Sequence, residues 1–129
     1  MPNDFDANIK LLYPADQNTF FTIDDVANGA TFDVIANVEI GQDLNQSVDS
    51  FDLRVGIVNL TQSAPVKTVQ DTGALTPQPA APHLDERRVT IDNWTATPGD
   101  VLQAVASYKV TAGVNVDFST AQSVPFVVS

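Results

Sequence analysis

Acidic side chains are the most numerous groups in this sequence that could do chemistry, with 16 Asp and Glu among 129 residues. The segment from Asp4 to Asn8 has the D-x-D-x-N spacing that opens an EF-hand calcium loop. An EF-hand loop also needs Gly at its sixth position and Glu at its last. This chain has Ile9 and Ala15 at those positions, so an EF-hand is excluded.

Neighbouring carboxylates form two pairs, Asp24–Asp25 and Asp85–Glu86. Adjacent residues on a strand point to opposite faces, so neither pair is well placed to act as acid and base on one substrate. Asp24 and Asp25 are a weak candidate for calcium, because hard cations accept oxygen ligands from loops. We interpret them as solvated loop residues and expect no metal or cofactor.

Few residues of this chain could act as a nucleophile or as an imidazole acid or base. The chain has no Cys and one His, which excludes thiolate nucleophiles, Cys-rich zinc sites and any site that needs two imidazoles. His83 follows Pro82, and no G-x-S-x-G nucleophile turn accompanies it. The sequence therefore predicts a protein that is not an enzyme.

Two aromatic residues, Trp94 and Tyr108, are candidates for stacking against a sugar, because a pyranose ring lies flat on an aromatic face. The alternative is that Trp94, close to the turn at Pro98 and Gly99, caps one end of a hydrophobic core. We favour the core interpretation, and keep the sugar-binding one open until the exposure of both rings is known.

Composition limits the class of partner. The net charge of -10 opposes binding to nucleic acid or to anionic membranes. The start of the chain lacks the basic and apolar regions of a secretory signal, and no apolar run is long enough for a membrane span. The length and the 43% hydrophobic content predict one domain, residues 1–129, with a single core.

Strands must position all of these residues. Val, Ile and Thr together number 35, and such β-branched residues suit a pleated sheet. Apolar and polar residues alternate clearly at 31–40 and 51–58. We also predict strands at 9–13, 20–23, 66–70, 88–91 and 101–110, and over 114–128 with a break near Ser119. The segment from Val101 to Lys109 could be helical by composition, but its strict alternation favours a strand.

One face of these strands supplies the predicted core. Leu53 is its reference residue, because it fixes the register of the strand at 51–58. The other predicted core residues are Phe32, Val34, Val38, Phe51, Val55, Ile57, Leu102, Ala104, Ala106, Phe126 and Val128.

The order of these segments resembles bacterial immunoglobulin-like and fibronectin type III-like β-sandwich domains. The resemblance rests on Ile9–Asp16 with its Pro-containing turn, the two long alternating strands, the run Trp94–Ala106 and the closing Ser123–Val128. It differs from antibody domains, which have a Tyr two residues before a core Cys, where this chain has Leu102 and Ala104. The resemblance implies an all-β, antiparallel sandwich of seven to eight strands.

The same resemblance implies a non-catalytic structural, assembly or adhesive module located outside the cell, on its surface or on a virion. The alternative is a carbohydrate-binding module accessory to a secreted enzyme. We expect protein partners, which include copies of this chain, and we keep carbohydrate as the alternative.

An interface is expected at the sheet edges and at two irregular segments, the N-terminal arm 1–8 and the Pro-rich loop 71–84. The closing strand is apolar on both faces, so it is an edge that a neighbour's extended segment can pair with. The pair at 87–88 is the only basic cluster and would contact an acidic segment. The residues predicted to contribute are Arg87, Arg88, Pro77, Pro79, Val124 and Val127.

Overall fold

Alternation of apolar and polar residues lets each strand bury one face, and most of this chain consists of such strands. The computed structural model describes residues 7–45, 47–77 and 83–129. The elements in chain order are β1 (Ala7–Asp16), β2 (Asp25–Val26), β3 (Phe32–Ile40), α1 (Gln42–Asn45), β4 (Ser50–Asn59), β5 (Ala64–Ala74), β6 (His83–Ile91), β7 (Val101–Ala112), β8 (Asn115–Gln122) and β9 (Phe126–Val128).

The strands form two sheets that pack as a sandwich, which confirms the predicted fold class. The smaller sheet has the order β1-β3-β6, and the larger has the order β2-β9-β7-β4-β5, with β8 also beside β7. The described strands number nine, because the closing segment divides into β8 and β9 and because the short β2 pairs with β9. That last pairing is parallel, whereas the prediction was of an antiparallel sandwich throughout.

The core lies between the inner faces of the two sheets, and the registers predicted for its strands are confirmed. The Phe32 ring meets Trp94 and Phe126 edge-on, with centroids 5.7 and 5.5 Å apart, an arrangement that aromatic pairs prefer. All twelve predicted core residues are buried: Phe32, Val34, Val38, Phe51, Leu53, Val55, Ile57, Leu102, Ala104, Ala106, Phe126 and Val128.

The bounds predicted for the Pro-rich loop, 71–84, are wrong at both ends, because strands occupy residues 71–74 and 83–84. Strand β5 continues through Asp71 to Ala74, and β6 begins at His83. Polar residues and Gly73 hid this strand from the sequence pattern, because its outer face is exposed. Gly73 lies opposite Phe51 in the ladder, and an added Cβ would be only 2.8 Å from the Phe51 ring. The glycine is therefore required by the core aromatic that covers it.

Three smaller predictions have different outcomes. The segment 20–23 is a loop with one isolated bridge, between Ala15 and Thr22, instead of a strand. The interruption of the closing segment lies at 123–125, and Ser119 is inside β8. The segment from Val101 to Lys109 belongs to β7, as its alternation predicted.

Candidate interaction surfaces

A loop between β1 and β2, residues 17–24, folds back on the end of β1 and is called here the Phe loop. The N–H of Asp16 donates to the Phe21 carbonyl at 3.1 Å, and the N–H of Ile23 donates to the Pro14 carbonyl at 3.2 Å. These two bonds pair the returning chain with β1 on the side away from β3. The returning half of the loop is thus anchored to β1 by backbone bonds.

An ion pair with a buried carboxylate lies beneath the Phe loop. Asp33, 1% exposed, points to the outer face of β3 and contacts the guanidinium of Arg88 on β6. The same carboxylate accepts bonds from the Asn18 N–H at 2.9 Å and from the Thr90 hydroxyl at 3.0 Å. Arg88 also donates to the Thr19 carbonyl at 2.6 Å. Because a buried carboxylate needs bonds and a counter-charge, this network fixes the loop to two strands.

The loop held in this way presents two adjacent phenylalanines to solvent. Phe20 is 65% exposed and Phe21 is 75% exposed. The Arg88 guanidinium lies 5.0 Å from the centre of the Phe20 ring, within the range of a cation–π contact. No Lys or Arg occurs between residues 16 and 25, where the exposed acidic residues are Asp16, Asp24 and Asp25.

The strand predicted over 20–23 is wrong, and the sequence prediction assigned no surface to these residues. Two adjacent phenylalanines cannot both face the core of a strand, since successive side chains alternate between its faces. The pair Phe20–Phe21 was therefore a signal for an exposed aromatic. Asp33 gave a second signal, because it is a charged residue within the apolar first half of strand β3.

A second surface crosses the outer face of the larger sheet and is called here the sheet trough. It consists of three open depressions of about 590, 180 and 390 Å³. Arg54 and Ser107 line both the first and the second, whereas Asp52 and Lys109 line both the second and the third. The three depressions therefore adjoin one another along β4 and β7.

Both arginines of the predicted basic cluster are engaged within the chain. Arg87 donates to Asp71 at 2.9 Å and to Asp85 at 3.2 Å, and it lies over the Phe51 ring at 4.6 Å. The hydrogen bond to Asp71 raises the pKa of Arg87 further above its ordinary value. Arg88 is occupied by Asp33. The pair is thus not a free positive patch for an acidic segment, because both guanidinium groups are already paired with carboxylates of this chain.

The sugar-stacking interpretation of Trp94 and Tyr108 is wrong, because both rings are buried. Trp94 is 6% exposed, and its Nε1 donates to the Ala30 carbonyl at 2.8 Å. Tyr108 is 1% exposed and lies 6.1 Å from Phe51 between ring centres. Burial also raises the pKa of the Tyr108 phenol. Neither ring offers a face to a sugar, since the core takes both.

The closing strand is not the unpaired edge that the sequence suggested. Strand β9 lies between β7 and β2, so both of its sides have a neighbour. Val124 is 80% exposed outside the strand, and Val127 is 37% exposed on its outer face. Pro77 is exposed and lies three residues after the end of β5. Pro79 lies outside the described residues.

The edge of β1 is guarded by side chains from β8. The backbone N–H of Ala7 donates to Asp117 at 2.7 Å, and that of Ile9 donates to the Ser119 hydroxyl at 3.1 Å. These bonds occupy donors that a foreign strand would need for pairing. Of the predicted arm 1–8, only residues 7 and 8 are described, and both belong to β1.

Asp24 and Asp25 are both exposed at the start of β2. In the described parts of the chain, no three His, Asp or Glu side chains come together in a way that could hold a metal ion. The described residues also include no helix with the length and apolar content needed to cross a membrane.

Comparison with solved structures finds a similar chain in the crystal structure of a "putative beta-galactosidase" from Bacteroides fragilis, with a TM-score of 0.50 and 14% sequence identity. The match covers 92% of this chain but only 17% of the Bacteroides chain. At this identity the likeness concerns the fold alone. No protein-family model matches the sequence, and no curated protein matches it either.

Proposed function

We propose that this chain is a non-catalytic, immunoglobulin-like module of an extracellular, cell-surface or virion assembly, and that its Phe loop binds a protein partner. One observation carries the proposal: Phe20 and Phe21 are 65% and 75% exposed on a loop that the ion pair of Arg88 with the buried Asp33 holds in place. The likeness to 17% of a longer chain supports a module that works within a larger polypeptide.

The Phe loop has the energetic character of a binding hot spot. Complete burial of one Phe side chain contributes about 1.5–3 kcal/mol, so two such rings supply much of a moderate affinity. Aromatic and Arg residues dominate hot spots, and here Arg88 lies against Phe20. Because the Asp33 network already orders the loop, a partner has less conformational entropy to overcome.

The charge around the Phe loop favours a basic partner. The loop's aromatic centre lies in an acidic segment with Asp16, Asp24 and Asp25, and the whole chain has a net charge of -10. A second copy would bring like charge to the contact, and two of its six basic residues, Arg87 and Arg88, are already paired internally. The complementary surface is a protein with an apolar pocket bordered by Lys and Arg.

A random peptide library displayed on phage, selected against the immobilised chain, tests this proposal. The selected peptides are expected to combine aromatic or aliphatic residues with Lys or Arg. Calorimetry of one such peptide should show binding about tenfold weaker to Phe20→Ser and to Phe21→Ser. Phe118→Ser is the matched control, because Phe118 is equally exposed at 65% and lies on a different sheet.

Two outcomes would contradict the proposal. Equal loss of affinity in the Phe118→Ser variant would place the peptide elsewhere on the surface. Light scattering that finds a dimer dependent on Phe21 would replace the basic partner with a second copy of the chain.

A further inference from the structure

The sheet trough has the shape of a site for an extended ligand. It runs along β4 from Ser50 to Gly56, which is roughly 20 Å at the rise of a strand. The largest of its three depressions, about 590 Å³, has Gly56 in its lining, where no side chain fills the space. An added Cβ at Gly56 would meet no atom closer than 3.5 Å, so the glycine is not required by packing.

Groups that bind hydroxyls share the lining of the trough with apolar side chains. Arg54, Ser107, Thr120 and Gln122 line the largest depression beside Val105, Ala106 and Ala121. They supply it with guanidinium, hydroxyl and amide groups. Donors and acceptors of this mixed kind, without excess charge, match a neutral polyhydroxylated molecule better than they match an ion.

An exposed aromatic ring lies beside these polar groups. Phe118 is 65% exposed and lines the middle depression together with Asp52 and Lys109. The ammonium of Lys109 is 5.9 Å from the centre of that ring. A pyranose can stack its C–H face on Phe118 while its hydroxyls reach the neighbouring carboxylate and ammonium groups.

Local charge argues against other extended ligands. Arg54 pairs with Asp52 at 3.2 Å, which leaves Lys109 as the one unbalanced charge among the trough-lining residues named here. A single cation is too little for a nucleic acid on a chain with net charge -10. Strands β4 and β7 have neighbours on both sides, so the trough floor offers no strand edge for a peptide to extend.

We propose that the sheet trough binds a neutral polysaccharide chain, with Phe118 as the stacking ring and Gly56 at the floor. This site is separate from the Phe loop and lies on the opposite sheet of the sandwich. It uses none of the buried aromatics that the sequence had suggested for sugar binding.

Native gels cast with soluble β-galactan, xylan or mixed-linkage β-glucan provide the test. At least one polymer should slow the wild-type chain relative to a polymer-free gel. Gly56→Val should abolish the retardation by filling the floor, and Phe118→Ala should weaken it by roughly tenfold. Phe20→Ser should migrate like the wild type, which separates this site from the Phe loop.

A urea unfolding curve of Gly56→Val is the folding control, and its midpoint should equal or exceed that of the wild type because Val suits a strand better than Gly. The proposal is overturned if none of the three polymers slows the wild-type chain. It is equally overturned if retardation persists unchanged in both trough variants.

Discussion

Removal of the cation beneath the Phe loop is the most informative single change to this protein. Arg88→Met keeps most of the side-chain length but leaves the carboxylate of Asp33 buried without its counter-charge. It also removes the bond to the Thr19 carbonyl and the contact with Phe20. The change should therefore destabilise the fold and loosen the loop together.

The magnitude follows from the burial of the two partners. Breaking a fully buried pair costs about 3–5 kcal/mol, whereas exposed pairs contribute about 0.2–1 kcal/mol. Asp33 is 1% exposed but the Arg88 side chain is 26% exposed, and Asp33 keeps its bonds from Asn18 and Thr90. The expected loss is between these limits, about 2 kcal/mol of unfolding free energy.

Urea unfolding followed by the fluorescence of Trp94 measures this loss, because it is the only tryptophan and is buried. The midpoint of Arg88→Met should fall by roughly 1 M. Adding Asp33→Asn to that variant should recover part of the loss, since no charge is then stranded. If the unfolding free energy of Arg88→Met alone is within about 0.5 kcal/mol of the wild-type value, the reasoning is refuted.

Four further outcomes are expected. Leu53→Ala, at a site with 0% exposure, should lower the unfolding free energy by about 2–5 kcal/mol in urea. Gly73→Ala should lower it by about 1–3 kcal/mol because the new Cβ meets Phe51 at 2.8 Å; an unchanged midpoint would mean that the ring moves freely. Asn59 and other donors hold the pKa of Asp100 below its ordinary value of 3.8, so its stabilisation should be complete above that pH and lost as pH falls below it. Urea curves of Asp100→Asn and wild type should therefore converge in acid. EDTA should leave the melting temperature unchanged, and a fall of many degrees would reveal a cation.

Period-two alternation was enough to predict the sandwich and its core. The inward residues predicted for the strands at 31–40 and 51–58 are buried, and Leu53 is fully buried as the register required. The first half of β3 also buries Asp33 and Ile35 on its other face. The burial of Trp94 followed from the preference of aromatics for the end of a core. These features depend on local sequence alone, which is why they could be read from it.

Contacts between distant residues could not be read in the same way. Asp33 and Arg88 are 55 positions apart, and only the pairing of β3 with β6 brings them together. Likewise, β9 pairs with β2, and a strand of two residues is too short to show an alternating pattern. Strand β5 was truncated because Gly73, a residue that usually ends strands, is here covered by Phe51.

The Phe loop is expected to be rigid before any partner arrives, and this rigidity distinguishes a prepared binding site from a chance exposure of Phe20 and Phe21. Backbone order parameters from ¹⁵N relaxation of the free chain measure it directly for residues 18–22. Values of about 0.85, equal to those of the neighbouring strands, are predicted. Values below about 0.6 would show that the Asp33 network does not hold the loop and would contradict its role as a docking site.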